Sequence, residues 1–255
     1  MELNPPTQYA DDRNLRARQR LWTCQVPSFD IAGWVLDLAG VMPGMRVLDA
    51  GCGNGMYLRE RQVDAVGCDL SPGMLRRAGH SALVNADVTA LPAHDGAFDV
   101  VLAAHLLDLV PGRRTAIGEL SRVLAPGGTC LAVTNGAQHL RSLRELVEQA
   151  VWVSTPGWRM RAPTGAAFTA ENGAAQLGVA FHEVTCIRPA QVSPVIIEDA
   201  TVAADYVSSL ASHYQAQVAR PWREVVSDVQ EQVQAAINAN SNFRTVGDVA
   251  AFVCR

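Results

Sequence analysis

The stretch VLDAGCGNG, residues 47–55, places three glycines within five residues directly after an apolar run. Glycine adopts backbone conformations that are closed to other residues, and it lets a ligand approach the main chain closely. The spacing is G-x-G-x-G, formed by Gly51, Gly53 and Gly55, whereas a dinucleotide-binding turn has G-x-G-x-x-G. The stretch is therefore open to two interpretations, a tight strand-to-helix turn or a turn that binds a ligand.

Two aspartates stand at the ends of the next two predicted strands. Asp69 follows Gly51 by 18 residues, and a carboxylate at that place can accept hydrogen bonds from both hydroxyls of a ribose. Asp87 ends the third strand and can accept from the exocyclic amino group of an adenine. A solvated loop or a helix cap is the alternative for Asp69, and a loop position for Asp87. Together with the glycine turn, the two carboxylates favour an adenosyl ligand.

Two histidines stand where a general base would meet a substrate. His105 follows the fourth predicted strand and His139 the fifth, and an unperturbed imidazole titrates near neutral pH. The alternative for His105 is that it only shapes the ligand pocket. Asp108, three residues on, can orient His105, contact substrate or cap a helix. The remaining histidines show no arrangement typical of a metal or catalytic site: His80, His94, His182 and His213.

From residue 46 onward, apolar strands alternate with helices. Several strands are apolar throughout, which is typical of a parallel sheet covered on both faces. Right-handed crossovers then give a doubly wound topology, and ligands bind beyond the carboxyl ends of its strands. The predicted strands are Arg46–Ala50, Ala65–Leu70, Ala82–Ala86, Phe98–Ala104 and Thr129–Thr134, and the helices lie near Tyr57–Gln62, after Ser71-Pro72 and over Arg113–Leu124.

The flanking segments are predicted to be mostly helical. Apolar periodicity marks helices near Asp12–Trp22, from Ile31 to Leu38, over Arg141–Val153, from Val202 to Tyr214 and after Pro221. Two further strands are expected at Phe181–Ile187 and Phe243–Val253. No internal repeat or low-complexity linker is visible, so we expect one domain over residues 1–255.

The composition is that of an ordinary globular protein, with 49% hydrophobic and 18% charged residues. No apolar run is long enough to span a membrane, and the N-terminal segment lacks the apolar centre of a signal peptide. We therefore expect a cytoplasmic protein with no membrane partner. The formal net charge of −4 gives no basic excess, which argues against nucleic acid as a partner.

All 21 basic residues are arginines, which excludes lysine as a base or Schiff-base residue. The six cysteines are scattered and form no C-x-x-C pair, so they match neither a disulfide framework nor a zinc site. No metal is expected. Four cysteines lie in predicted strands or just after them, and we expect these to be small buried side chains: Cys52, Cys68, Cys130 and Cys186.

Five motifs occur in the order and at the spacings of a known family: VLDAGCGNG (47–55), VGCDLSPGML (66–75), NADVTALP (85–92), FDVVLAAHLL (98–107) and ELSRVLAPGGTCLAV (119–133). With these motifs, residues 43–135 resemble the class I S-adenosylmethionine-dependent methyltransferases. The chain looks most like the small-molecule methyltransferases related to the ubiquinone and menaquinone C-methyltransferases. Beyond residue 140 the similarity extends only to the general plan.

The resemblance implies a Rossmann-like, doubly wound α/β fold: a mainly parallel seven-stranded sheet with one antiparallel strand, plus helical lid insertions. It also implies that S-adenosyl-L-methionine lies across the end of the first strand. Its methionine part is implied to contact Asp49, Gly51 and Gly53, with Cys52 between them also in the cofactor site. The other implied contacts are Asp69 on the ribose, Leu70 on the adenine face, Asp87 and Val88 on the adenine edge, and Ala104 and His105 near the reacting methyl group.

Within this single domain, the cofactor-binding core is expected at about residues 43–136. Lid or substrate elements are expected at about 1–40, 137–180 and 190–242. Aromatic residues of these poorly matched parts are candidates for an apolar acceptor pocket, with core packing as the alternative for each: Tyr9, Trp22, Trp152, Trp158, Phe168 and Tyr206.

We expect methyl transfer to oxygen, nitrogen or carbon of a small-molecule acceptor, in a biosynthetic role. The sulfonium already makes the methyl group electrophilic, so a base is needed only where the nucleophile keeps its proton. The alternatives are a protein that binds S-adenosylmethionine without methyl transfer or uses it for another reaction, a nucleic-acid methyltransferase, and a NAD-dependent oxidoreductase. The identity of the acceptor and the oligomeric state stay open.

Overall fold

The computed structural model describes residues 8–59, 64–161, 168–191 and 193–255. Its strands are β1 (Arg46–Ala50), β2 (Asp64–Asp69), β3 (Leu83–Asn85), β4 (Phe98–Ala104), β5 (Leu124–Asn135), β6 (Val184–Ile187), β7 (Pro194–Ile197), β8 (Phe243–Val246) and β9 (Val249–Cys254). Seven of them form one sheet in the order β3-β2-β1-β4-β5-β9-β6. Strand β9 runs antiparallel to both of its neighbours, and the other six strands run parallel to one another. The predicted fold class is confirmed.

The strand order reverses between β1 and β4, which lie at the centre of the sheet. Both strands have the bounds that the sequence predicts, and their central residues are buried. Strands β2 and β3 lie on one side of this pair, and β5 lies on the other. Doubly wound sheets bind ligands in the crevice beyond such a reversal, at the carboxyl ends of the strands. The glycine turn follows β1 at this place.

Strand β5 is longer than the predicted Thr129–Thr134. Leu124 already pairs with Phe98, and the register shifts after this pair. The segment Pro126-Gly127-Gly128, predicted as a turn, therefore lies inside an irregular strand.

The prediction of one strand over Phe243–Val253 is wrong. Residues of β8 pair antiparallel with β7 in a separate two-stranded sheet, whereas β9 belongs to the main sheet. Gly247-Asp248 separate the two strands and let the chain pass from one sheet to the other. No strand was predicted at β7, because a four-residue apolar run is too short for its periodicity to identify a strand. The predicted strand Phe181–Ile187 is shortened to β6.

The helices among the described residues are α1 (Arg13–Trp22), α2 (Ile31–Leu38), α3 (Pro72–Leu75), α4 (Arg113–Arg122), α5 (Arg141–Trp152), α6 (Gly173–Leu177), α7 (Ala200–Ser208), α8 (Ala211–Tyr214) and α9 (Trp222–Asn240). Two predictions are corrected. The helix expected near Tyr57–Gln62 is one 3₁₀ turn, Tyr57–Arg59, followed by residues 60–63 outside the described part. The helix expected from Val202 to Tyr214 is broken into α7 and α8.

Buried side chains form three clusters, and two of them cover the opposite faces of the sheet. The third lies among helices and is built by α1, α5, α7 and α9 together with the β7–β8 pair. We call this third cluster with its helices the helical unit. Within the part of the chain that the structure describes, no helix combines the length and apolarity that crossing a membrane requires.

Candidate functional site

All three glycines of the turn after β1 have left-handed backbone angles. Their φ values are +72° at Gly51, +54° at Gly53 and +77° at Gly55, a region that side-chain-bearing residues rarely adopt. A Cβ atom at Gly51 would lie 2.7 Å from Leu106 Cδ1, and one at Gly55 would lie 2.4 Å from the Ala78 carbonyl oxygen. The third glycine is therefore required by close packing on backbone, which explains the G-x-G-x-G spacing without a ligand contact.

Asp69 connects this turn to the turn after β2. Its carboxylate oxygens accept hydrogen bonds from the Gly53 N–H at 2.9 Å and the Ser71 N–H at 2.8 Å. Burial raises the pKa of Asp69, and the two N–H donors lower it in part. Ser71 rather than Asp69 caps the next helix, since its Oγ accepts from the Met74 N–H at 3.2 Å. Asp69 thus stands beside the glycine turn, and its contact with a ribose stays a prediction.

Asp49 is the least satisfied polar group of the site. Its side chain is 1% exposed, and neither carboxylate oxygen has a hydrogen-bond partner among the described residues. Burial and the negative charge of Asp69 raise the pKa of Asp49 to about 7. The Tyr57 hydroxyl, close enough to Asp49 for that charge to raise the tyrosine pKa, is also buried without a partner. A cationic group beside these carboxylates would supply the missing partner.

The residues predicted for the adenine lie at the ends of β2 and β3. Leu70 is 47% exposed, so its side chain is available to pack on a flat ring. Val88 is buried, whereas Asp87 is exposed and accepts from the Thr89 N–H and hydroxyl through Oδ1, at 2.8 and 2.7 Å. The Asn85 amide donates to the carbonyls of Asp69 and Leu70, both at 2.9 Å, and holds the two strand ends together.

His105 directly follows Ala104, the last residue of β4, and has a left-handed φ of 53°. Such an angle is unusual for a residue with a side chain, and strain of this kind collects at functional sites. The His105 N–H donates to the Val133 carbonyl at 2.9 Å, which fixes the backbone there. The residue is exposed by its accessible surface, while desolvation by the protein around it lowers the pKa of its ring to about 4.

His139 lies close to His105, since the charge of His105 is among the causes that lower the His139 pKa. Burial is the largest cause and brings that pKa to about 3. One ring nitrogen, Nδ1, lies 3.3 Å from the Asp248 carbonyl oxygen, and the Trp22 ring lies 5.2 Å away between centroids. If Nδ1 carries the proton, it donates to that carbonyl and Nε2 is left as the acceptor. The two predicted candidate bases therefore lie within range of each other's charge.

Asp108 lies in the 3₁₀ turn Leu107–Leu109, shortly after His105, and its role toward His105 or a substrate stays a prediction. Its carboxylate accepts from the Phe168 N–H at 3.1 Å. Burial raises the pKa of Asp108, and the Phe168 N–H and the Arg113 charge oppose this effect. The observed contact is thus with the backbone that leads into the segment before α6.

The aromatic candidates for the acceptor pocket separate into two groups. Trp22 and Tyr206 border the helical unit near His139 and Arg18, and the Tyr9 hydroxyl accepts from Arg18 at 2.9 Å. The other three lie elsewhere: Phe168 packs on Phe252 in the sheet core, Trp158 packs on Tyr214 in the helical unit, and Trp152 is a surface residue under Arg159.

Helix α1 covers the glycine turn. The contacts of this helix with the turn could not be predicted from local sequence patterns. Gln19 and Asn54 exchange two amide hydrogen bonds at 3.0 and 3.2 Å. Leu15 Cδ2 lies 3.1 Å from where a Cβ of Gly53 would stand. The only signal available was the amphipathic pattern of α1, which does not say what the apolar face contacts.

Three of the four cysteines expected to be buried are buried, namely Cys52, Cys68 and Cys130. Cys186 is exposed because it lies on β6, an edge strand of the sheet. Burial raises the pKa of the Cys52 thiol, which keeps it protonated beside the turn. In the described ranges no three His, Cys, Asp or Glu side chains come together as a metal site would require.

Residues 48–132 match the family described as "Methyltransferase domain". Malonyl-[acyl-carrier protein] O-methyltransferase of Serratia marcescens is 34% identical over 128 residues, which cover 47% of this chain and 50% of that protein. Demethylmenaquinone methyltransferase of Beutenbergia cavernae is 41% identical over 100 residues, 36% of this chain and 42% of that protein. The chain thus spans half or less of the length of these curated relatives.

A solved structure of a putative methyltransferase from an antibiotic biosynthesis pathway of Anabaena variabilis aligns over most of the chain. The TM-score is 0.58 at 14% sequence identity, and the alignment covers 91% of this chain and 98% of that one. At this identity the likeness concerns the fold.

Proposed function

We propose that the protein transfers a methyl group from S-adenosylmethionine to a small-molecule acceptor, because residues 48–132 match the family described as "Methyltransferase domain" and carry the motifs that resemble the class I S-adenosylmethionine-dependent methyltransferases. S-adenosylmethionine is the cofactor of this family. The proposal is supported by the matched segment, which contains the glycine turn, Asp69, Asp87 and His105.

The observation that carries the proposal is the pair of carboxylates at the glycine turn. Asp49 and Asp69 lie close enough for one charge to raise the pKa of the other, and no cation is among the causes that shift either group. S-adenosylmethionine brings a cationic amino group to its methionine end, which suits the unpartnered Asp49. The open main chain at Gly51 and Gly53 leaves room for a ligand along the same turn.

The ligand-holding residues that we propose follow from these placements. Asp49, Gly51, Cys52 and Gly53 would lie along the methionine part, Asp69 at the ribose and Leu70 at the adenine face. Asp87 and Val88 would border the adenine edge, and Ala104 and His105 the reacting end. The unused oxygen of Asp87, Oδ2, is the atom that we assign to the adenine amino group.

When bound, the cofactor supplies an electrophilic methyl group on sulfur. The protein must then orient the acceptor and keep water out, and such positioning is worth up to about 7–11 kcal/mol of the barrier. His105 and His139 have lowered pKa values of about 4 and about 3, so both rings are neutral at neutral pH. A neutral imidazole can accept the proton that an oxygen or nitrogen nucleophile loses.

A small-molecule acceptor is favoured by two observations. The chain has a net charge of −4, without the basic excess typical of nucleic-acid binding. The relatives above are named for malonyl-[acyl-carrier protein] and demethylmenaquinone, which suggests an acceptor from biosynthesis. Oxygen, nitrogen and carbon all stay open as the accepting atom.

The test is a transfer assay with cofactor labelled in the methyl group. The purified protein is incubated separately with a low-molecular-weight metabolite fraction and with total RNA. We expect label to appear in the metabolite fraction alone. Label in RNA alone would contradict the small-molecule assignment, and cofactor binding without any transfer would favour a protein that uses the cofactor otherwise.

A further inference from the structure

Arg18 of α1 is a partly buried cation that contacts only neutral acceptors. Its Nη1 donates to the Tyr9 hydroxyl at 2.9 Å. Its Nε and Nη2 donate to Ser209, the first to the hydroxyl at 3.1 Å and the second to the carbonyl at 3.0 Å. In the described ranges Arg18 forms no ion pair with a carboxylate. Arg20, two residues later, pairs with Asp205 at 2.6 Å.

Arg144 of α5 is a second cation of the same kind. It lies four residues after Leu140 and three before Val147, both buried, so it shares the inward face of the helix. Its Nη2 donates to the Ala137 carbonyl at 2.8 Å. Like Arg18, it has no ion pair with a carboxylate among the residues that the structure describes.

The two arginines lie on separate helices of the helical unit, and Ser209, which binds Arg18, also bonds to the Tyr206 carbonyl at 2.6 Å. Both charges lower the pKa values of Tyr206 and Tyr214 against the effect of burial, so both lie near these two rings. Trp22, one helical turn after Arg18, contacts His139, and Arg144 is among the charges acting on that histidine. The cations therefore border the space next to the candidate bases.

Tyr206 has a hydroxyl that is not sealed inside the protein. Its hydroxyl makes no hydrogen bond to any described residue, and it is absent from the side-chain atoms that are fully buried without a partner. The hydroxyl must therefore reach solvent, although protein surrounds the ring closely enough to raise its pKa. Tyr206 thus offers a hydroxyl without a protein partner in the described ranges, on the same helix as Ser209, whose Oγ donates to the Tyr206 carbonyl at 2.6 Å and accepts from Arg18 at 3.1 Å.

Asp49 and Asp69, the two carboxylates beside the glycine turn, are not the counter-ions of Arg18 and Arg144. The pKa shifts of Asp49 and Asp69 have no arginine among their causes. Arg144 also follows β5, on the other side of the strand reversal from β2 and β3, which carry the residues assigned to the ribose and adenine. Arg144 thus lies on the side of the sheet away from the residues assigned to the nucleoside, and Arg18 reaches from α1, which covers the glycine turn, toward Ser209 at the end of α7.

A partly buried guanidinium without a counter-ion is unfavourable, and its fork of N–H donors matches a carboxylate or phosphate. We propose that the methyl acceptor carries an oxyanion, a carboxylate or a phosphate, on an apolar body, and that Arg18 and Arg144 bind this group beside His139 and Tyr206. This inference rests on the proposed function, since it names the acceptor class of the same site.

The test is calorimetric titration of three probes into the full chain saturated with S-adenosylhomocysteine: benzoate, phenyl phosphate and the neutral benzamide. We expect one or both anions to bind at least about tenfold more tightly than benzamide, in line with a charge-assisted hydrogen bond. Arg144→Gln should weaken the anion by about tenfold or more and leave S-adenosylhomocysteine binding unchanged. Arg18→Gln should do the same if its contacts to Ser209 survive, which its melting temperature checks.

The matched control is Arg141→Gln, because Arg141 lies on the same helix but is exposed and paired with Glu145 at 2.9 Å. It should leave every titration unchanged.

Equal binding of benzamide and the anions, no binding of either anion, or equal losses in Arg141→Gln and Arg144→Gln would overturn the proposal. A loss of S-adenosylhomocysteine binding in Arg144→Gln would also overturn the proposal, because Arg144 would then bind the carboxylate of the cofactor and not that of the acceptor. Failure of wild-type protein to bind S-adenosylhomocysteine would instead count against the proposed function, and the anion titrations repeated without it would still test the arginines.

Discussion

Asp49 has a pKa set by its surroundings, and this gives the protein a measurable response to pH. The folded-state pKa is about 7, whereas the ordinary value is 3.8. The folded protein therefore binds more protons than the unfolded chain between these two values, so the contribution of Asp49 to stability falls as the pH rises through this window. Above about pH 7 the contribution stays at its lower level.

Asp49→Asn removes this titration while keeping the shape of the side chain. We expect the melting temperature of the variant, relative to wild type, to rise as the pH increases from about 4 to about 8, by a few degrees, since each kcal/mol shifts it by about 2–4 °C at this chain length. Scanning calorimetry without cofactor measures the difference. A difference that does not change with pH would show that Asp49 is not the buried carboxylate described above.

His105→Asn tests the candidate base once an acceptor is known. We expect the rate of methyl transfer to fall by about 10²–10⁴ if the ring accepts the proton, with little change in cofactor affinity. Because the pKa of His105 is lowered to about 4, the wild-type rate should show no loss near the ordinary imidazole value of 6.5. His94→Asn, which changes an exposed histidine bonded to the Asp95 carbonyl, is the control. A loss confined to cofactor affinity would mean that His105 only shapes the pocket.

The turn between β1 and the 3₁₀ turn Tyr57–Arg59 requires glycine for close packing as well as for backbone angles. Gly55 and Gly44 both have positive φ, +77° and +85°, but only Gly55 lies against another part of the backbone. The two positions therefore separate the cost of the backbone angle from the cost of a steric clash.

Gly55→Ala should lower the free energy of unfolding by about 1–3 kcal/mol more than Gly44→Ala, because its Cβ would meet the Ala78 carbonyl whereas the Cβ at Gly44 meets nothing within 4 Å. Urea unfolding of both variants measures the difference. Equal losses would mean that Gly55 is needed only for its backbone angle, and the close approach to Ala78 would then be incorrect.

The sheet and the helical unit meet across α1. The residues assigned to the cofactor could be predicted from sequence further than those assigned to the acceptor. The residues that we assign to the cofactor lie at or just after the ends of β1, β2, β3 and β4, so local strand and turn patterns were enough to predict their positions at this edge of the sheet. The part that we assign to the acceptor depends on contacts such as Arg18 with Ser209, which are 191 positions apart, and the cover over the glycine turn depends on Gln19 with Asn54, 35 apart. No local pattern carries such pairings.

The errors in predicted elements have the same origin. Strand β8 leaves the main sheet because its partner is β7, a run too short to be recognised alone. Strand β5 begins early because Phe98 supplies a partner for Leu124 before the glycines. Phe168, for which the sequence left an acceptor pocket and core packing both open, packs on Phe252 of β9 in the sheet core. In each case a distant residue decides an outcome that nearby residues leave open.

The central claim, that the crevice beyond β1 and β2 binds S-adenosylmethionine, is tested most directly by calorimetric titration of S-adenosylhomocysteine and, separately, of NAD into the full chain. We expect saturable binding of S-adenosylhomocysteine, none of NAD, and affinity for S-adenosylhomocysteine weakened by about tenfold or more in Asp69→Ala. Binding of NAD without S-adenosylhomocysteine, or unchanged affinity in Asp69→Ala, would contradict the account.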